Sequence, residues 1–148
     1  MDSITIKPIG VIHSPYKDRV PRPSDITYES KGQIEIFPEY ADGLTDLDGF
    51  SHIEVIFYFH LSKTTSLKAH PPMDTRERGV FASHSPRRPS LTGLTVVRLD
   101  SIENNILDVS GVDMIEGTPV LDIKPYIPRV KSTEKIRLGW LDDLKEEK

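Results

Sequence analysis

Apolar and polar residues alternate in short runs along most of this chain, and proline, glycine or asparagine closes each run before it reaches helical length. The clearest alternation spans His52 to Leu61. There Ile53, Val55, Phe57, Phe59 and Leu61 fall on one face of a strand, and His52, Glu54, Ile56, Tyr58 and His60 on the other. The first face predicts core; the second predicts a pocket wall or a subunit contact. Ile4 to His13 predicts an earlier strand with Ile4, Ile6 and Ile9 inward, ended by Ser14-Pro15, and Gln33 to Phe37 predicts a short one closed by Pro38. Glu39 to Leu47 predicts one or two helical turns before Asp48-Gly49. Gly93 to Ile102 and Ile106 to Val112 predict a hairpin across Glu103-Asn104-Asn105, where asparagine tolerates positive φ. Tyr16 to Lys31 and Ser62 to Glu77 predict long excursions over the surface. Leu138 to Lys148 predicts a short helical or frayed tail with Trp140 as its apolar anchor.

Twelve prolines spread over 148 residues disfavour long helices and favour short strands joined by shaped turns. The expected fold is mainly β, an antiparallel barrel or strongly curved sheet. The length suits one domain, residues 1–137, followed by a tail at 138–148. The absence of cysteine excludes a disulfide framework and thiolate metal sites. No apolar run approaches the roughly 20 residues of a membrane span, and Met1-Asp2-Ser3 does not open a secretory signal, so a cytoplasmic location is expected. His52, His60, His70 and His84 have no metal-ligand spacing; His52 and His60 lie about 26 Å apart along one strand. No metal is expected. A Gly-x-Ser-x-Gly elbow, a phosphate-binding glycine loop and a dinucleotide-binding fingerprint are all missing.

Charge changes the picture at one place. Between Arg76 and Arg98 there are five arginines (Arg76, Arg78, Arg87, Arg88, Arg98) against one acid, Glu77, in a chain of formal net charge -4. The same stretch holds Gly79, Pro86, Pro89 and Gly93, so it predicts a shaped, positively charged loop suited to phosphate or carboxylate. A solvated loop that keeps a sheet edge soluble is the competing reading.

The motifs in and around this loop carry a resemblance. Gly79-Val80-Phe81-Ala82-Ser83-His84-Ser85 and Arg88-Pro89-Ser90-Leu91-Thr92-Gly93 resemble a signature of the TsaA/TrmO family of S-adenosylmethionine-dependent methyltransferases, which usually reads Gly-Val-Phe-Ala-Thr-Arg-Ser and Arg-Pro-Asn-Pro-Ile-Gly. Ile9-Gly10-Val11-Ile12-His13-Ser14-Pro15-Tyr16, Phe50-Ser51-His52 and the run from Gly111 to Tyr126, with Glu116-Gly117-Thr118-Pro119 and Asp122-Ile123-Lys124-Pro125-Tyr126, resemble the family in the expected order. The resemblance covers most of the chain from Ile9 to Pro128.

It implies a single-sheeted β-barrel with a long crossover loop, a homodimer, S-adenosylmethionine as methyl donor and tRNA as substrate. It places donor contacts at Pro21-Arg22-Pro23, His60-Leu61, His84, Leu94 and Ser110-Gly111-Val112-Asp113. In that setting the backbone of Ser110 to Val112 is expected to read the adenine edge, and Asp113 to face a ribose hydroxyl or the donor's ammonium. Methyl transfer asks chiefly for positioning. An acceptor nitrogen must also lose a proton, for which Asp113, Asp122 and Tyr126 are candidates, and Arg88 is expected beside the acceptor. A purely bracing role, with Asp122 paired to Arg88, is the alternative. Arg76, Arg78 and Lys68 are expected against RNA backbone. The family's characteristic reaction is N6-methylation of threonylcarbamoyladenosine next to the tRNA anticodon. His84 for arginine, and Ser90-Leu91 for asparagine-proline, open two alternatives: another small-molecule or nucleoside acceptor, or a non-catalytic donor- or RNA-binding regulator.

Overall fold

In the computed structural model, which describes residues 1–20 and 29–146, the alternating segments pair edge to edge until no edge remains. Among the described residues, six strands close an antiparallel barrel: β1 (Gly10–His13), β2 (Lys31–Ile36), β3 (His52–Tyr58), β6 (Thr92–Glu103), β7 (Ile106–Ser110) and β8 (Pro119–Pro125). Around the barrel they run β1-β2-β7-β6-β3-β8. Two further short strands, β4 (Lys68–Ala69) and β5 (Arg78–Gly79), pair with each other in the crossover excursion. The expected mainly-β barrel, with long crossovers and a short C-terminal helix, α1 (Trp140–Glu146), is therefore the fold.

The period-2 pattern explains the interior. Ile12, Ile34, Ile53, Val55, Val97, Leu107 and Val120 are completely buried and supply every strand of the barrel with an inward face. Burying such a side chain stabilises by roughly 1.5–3 kcal/mol, so these inward faces are the main force closing the barrel. Val112 and Met114, beyond the end of β7, join the same core.

Where boundaries differ from expectation, partner strands set them. β1 begins at Gly10, opposite Ile36, the last residue of β2, and Val120 near the start of β8, and Ile4 and Ile6 are exposed. β3 ends at Tyr58, opposite the first residue of β6, so Leu61 lies exposed rather than in the core. The expected helical segment is a pair of 3-10 turns, Pro38–Leu44 and Leu47–Gly49. The hairpin forms as expected, with Asn104 at φ 56°. β7 stops at Ser110, because Gly111 turns the chain at φ 89°. β8 gives a weak strand signal, since prolines bound it and Asp122 and Lys124 occupy it.

Register fixes which loops meet. The ends of β1, β3 and β7 and the starts of β2, β6 and β8 lie at one mouth of the barrel, where Lys31 faces Ser110 and Tyr58 faces Thr92. The start of β3 and the end of β8 lie at the other mouth, where Ile53 faces Pro125.

Candidate functional site

Asp113 is the focus of the first mouth. Beyond the turn at Gly111 the chain doubles back over the barrel end, and the carboxylate is carried inward against β6. Its Oδ1 is buried with no hydrogen-bond partner among the described residues. Burial pushes the carboxyl above its usual range; a hydrogen bond with Thr95, one from its own backbone N–H and the nearby charge of His84 pull the other way without cancelling the shift. An orphaned, buried carboxylate oxygen is costly unless something else completes it. A ligand hydroxyl or ammonium does so, and S-adenosylmethionine carries both. The residues present therefore fit that donor.

The segment bearing Asp113 is stitched to β1 and the turn after it. Ser14 Oγ donates to Met114 O at 2.6 Å, Ser14 N to Glu116 Oε2 at 2.7 Å, Glu116 N to Tyr16 O at 2.7 Å and Gly117 N to Ile12 O at 2.9 Å. His13 completes the clamp. Its Nδ1 lies 2.9 Å from Glu116 Oε1 and its Nε2 3.3 Å from Glu35 Oε1. Both ring nitrogens face carboxylates, an arrangement that suits the doubly protonated imidazolium. The Glu116 hydrogen bond raises the His13 pKa above 6.5, and the same contact lowers that of Glu116 below 4.5.

These shifts fix the sign of a pH dependence. A raised histidine pKa contributes stability that is present below about 6.5 and lost as pH rises through the folded value; a lowered carboxyl pKa contributes stability lost as pH falls below about 4.5. The expected thermal midpoint of the clamp is highest between those limits and declines above pH 6.5. His13→Gln is expected to flatten that decline, as melts across pH 5 to 9 will check; equal slopes in both proteins would remove His13 from the clamp.

The expected donor residues divide by place. The charge of exposed His84 acts on Asp113, whose carboxylate is hydrogen-bonded by Thr95, a residue the sequence pattern did not single out. Its signal is a hydroxyl on the inward face of β6, beside buried Val97 and opposite buried Val55. His60 and Leu61 follow β3 at the same mouth, half-buried and exposed respectively. Leu94 projects on the opposite side of β6 from Thr95 and is half exposed. Pro21, Arg22 and Pro23 lie outside the described residues. Ser110 is fully buried, its hydroxyl donating to Asp100 while Arg98 Nη2 donates to it at 3.3 Å, so its side chain serves the β6–β7 pairing. The N–H groups of Gly111 and Val112 both donate to Ser30 O, at 3.0 and 2.9 Å. Any adenine reading by that backbone must therefore use carbonyls.

The expected acceptor-side residues do not gather there within one chain. Asp122 pairs with Lys124 at 2.9 Å on the outside of β8, opposite Ile56, and not with Arg88. Tyr126 stands edge-on to His52 at the far mouth, with ring centroids 6.4 Å apart. From there to Tyr58 is about 20 Å of strand. Arg88 turns inward, donating from Nη1 to Ser83 O at 2.9 Å and Ser85 O at 3.3 Å, so its guanidinium braces the loop beneath His84. Arg78 is likewise engaged, with Asp74 at 2.6 Å and the Trp140 ring at 5.3 Å.

The departures from the family pattern have structural consequences. Leu91, where the pattern carries proline, has φ 54° and donates its N–H to Arg88 O at 3.0 Å. Proline can do neither. The loop thus enters β6 along a path that the usual sequence would forbid.

Comparison with known proteins agrees with this geometry. Residues 11–132 match the model of the tRNA-methyltransferase O N-terminal domain. A probable S-adenosyl-L-methionine-binding protein of Pyrococcus abyssi is 44% identical over 141 residues, covering 94% of this chain and 77% of that one. The crystal structure of TrmO from Pseudomonas aeruginosa superimposes with a TM-score of 0.74 at 32% identity, over 93% of this chain and 62% of that one. A mouse tRNA (adenine(37)-N6)-methyltransferase is 37% identical over 143 residues, and this chain covers 90% of itself but 33% of that protein. Barrel, mouth and matches define the class: a β-barrel domain of the S-adenosylmethionine-dependent methyltransferases. The chain belongs to the family of the tRNA-methyltransferase O N-terminal domain. It spans less than two thirds of the TrmO structure and about a third of the mouse protein.

Proposed function

We propose that this protein transfers the methyl group of S-adenosylmethionine to N6 of threonylcarbamoyladenosine beside the anticodon of tRNA, acting in the cytoplasm as a homodimer. The observation that carries the reading is the buried, unpartnered Asp113 oxygen at a mouth shared with His84, in a chain of this family. When bound, S-adenosylmethionine supplies a methyl carbon already made electrophilic by its sulfonium. The chain's own work is to hold, orient and dehydrate. Asp113 takes a hydroxyl or ammonium of the donor; Thr95 fixes the carboxylate; the clamp of His13, Ser14 and Glu116 fixes the segment that carries Asp113. His84, near enough for its charge to act on Asp113, is a side chain able to take the proton that the acceptor nitrogen must lose. Arg87 is exposed on the same loop and suits the acceptor's carboxylate or a flanking phosphate.

Dimerisation is supported by the outer face of β3, β6 and β8. Tyr58, Leu94, Val96 and Tyr126 are each more than a third exposed there, an apolar surface that a second copy can cover. Such pairing would also return Leu94, Asp122 and Tyr126 to an active site from the neighbouring copy. The Leu91 turn and His84 favour one second reading, the same donor with a different nucleoside acceptor.

The test is methyl transfer from labelled S-adenosylmethionine to tRNA carrying or lacking threonylcarbamoyladenosine, with subunit number measured on the same sample. Label is expected only in the modified tRNA, with apparent affinity falling as salt rises. Label in neither tRNA, despite donor binding, would replace this reading with the second one.

A further inference from the structure

Phe81 is the most exposed aromatic ring among the described residues, at 78%, and it is not on a loose segment. It occupies the middle of a 3-10 turn, Val80–Ala82, whose flanks are both fastened. Before it, Val80 is buried at 1% exposure and donates its N–H to Leu67 O at 2.9 Å. After it, Ala82 O accepts from Trp140 Nε1 at 2.8 Å, and Ser83 N and Oγ both return to Val80 O. A turn held so firmly can hide its one ring or display it; this one displays it.

The contact through Trp140 sets a second feature beside the ring. The chain leading to α1, residues 129–137, is exposed throughout and carries Arg129, Lys131, Lys135 and Arg137 against the single acid Glu134. Trp140 pins its end to Ala82, next to Phe81. Arg137 lies only three residues from that pin, within roughly 10 Å of chain. Lys135 and Arg137 share a hollow with Asp142 and Asp143 of α1, and Asp142 is already taken by the N–H of Leu138 at 2.9 Å. In a chain of net charge -4, the strap thus brings a cluster of cations toward an exposed ring that already sits on the arginine-bearing loop.

We propose that Phe81 is a stacking platform for an unpaired nucleobase of the RNA substrate, with Lys131, Lys135 and Arg137 holding the adjoining phosphates. An aromatic face flanked by cations suits single-stranded nucleic acid: bases splayed from an RNA loop stack on aromatic rings, while the backbone follows the positive charge. The proposal rests on the tRNA reading above and extends it, assigning the strap and the 3-10 turn to the acceptor side. A second copy of the chain is the competing occupant of the ring.

The experiment measures binding of an anticodon stem-loop RNA to the full chain over a range of salt, for wild type, Phe81→Ala, Phe81→Trp and the double variant Lys135→Ala/Arg137→Ala. Donor affinity by calorimetry and subunit number accompany each. Phe81→Ala is expected to weaken RNA binding at least about fivefold, the lower end for loss of one stacked base. Phe81→Trp should stay near wild type, and the double variant should flatten the salt dependence by about two ionic contacts. Donor affinity and subunit number should not change. Unaltered RNA binding by Phe81→Ala overturns the platform, as does a loss of dimer in that variant with RNA affinity kept. Failure of the wild type to bind the RNA at all would instead overturn the tRNA reading and this proposal with it.

Discussion

Replacing Asp113 with alanine is expected to weaken S-adenosylmethionine binding about tenfold to a hundredfold and, at neutral pH, to make the ligand-free protein more stable. Both effects come from one oxygen. Asp113 Oδ1 is buried without a hydrogen-bond partner among the described residues, so the free protein bears the cost of desolvating it. A donor hydroxyl or ammonium recovers that cost as a charge-assisted bond, worth roughly 1.5–3 kcal/mol, and alanine forfeits it. The pH sign agrees. Because burial raises the Asp113 pKa above its usual 3.8, ionising it costs folded-state stability as pH rises through that shifted value. The alanine variant lacks this penalty, and its gain over wild type should shrink in acid. Calorimetry with the donor and thermal melts at pH 4 and 7 measure the two halves separately. Asp113→Asn keeps the shape while removing the charge. Unchanged donor affinity in both variants would place the donor elsewhere, and lowered stability in the alanine variant would mean that the carboxylate is structural.

Gly10→Ala is expected to destabilise the barrel by roughly 3 kcal/mol, near the upper end for overpacking. A Cβ at position 10 would lie 2.3 Å from Glu35 O and 3.1 Å from both Glu35 C and Ile36 Cα. All three are backbone atoms of β2, paired directly with β1, so no rotamer change relieves the clash; the strands must separate. Separation there loosens the register that brings His13 to Glu35 and Glu116, so donor affinity should fall along with stability. For a domain of this size the thermal midpoint should drop by about 6–12 °C. Denaturant unfolding of the two proteins side by side decides it, since equal midpoints would show that the β1–β2 spacing does not depend on glycine at position 10.

Much of the barrel was legible along the chain, because strand character is written locally. A period of two marks Ile53, Val55 and Phe57 as inward whatever their partners are, and an asparagine between two such runs marks the hairpin at Asn104. The family motifs were legible for a similar reason: each is a short contiguous string, and their order alone points to donor chemistry. Thr95 carried a fainter local signal, a hydroxyl at an inward position. Beyond that, local pattern fails. Arg88 and Arg78 look like ligand-seeking cations in sequence, and the fold spends both on holding the loop, against Ser83, Ser85, Asp74 and Trp140.

The chain's own order of residues settles that this is a small, mainly β domain of the TrmO family, since alternation, proline spacing and contiguous motifs need no knowledge of distant partners. Folding adds the facts of juxtaposition. His13 meets Glu116 across 103 positions, Asp113 is drawn to Thr95 and near enough to His84 for its charge to act, and Asp122 and Tyr126, so near to Asp113 in sequence, are carried by β8 toward the other end of the barrel. The physical reason is register. Which mouth a residue reaches depends on hydrogen bonds between strands far apart in the chain, and no window of sequence contains both sides of such a pair.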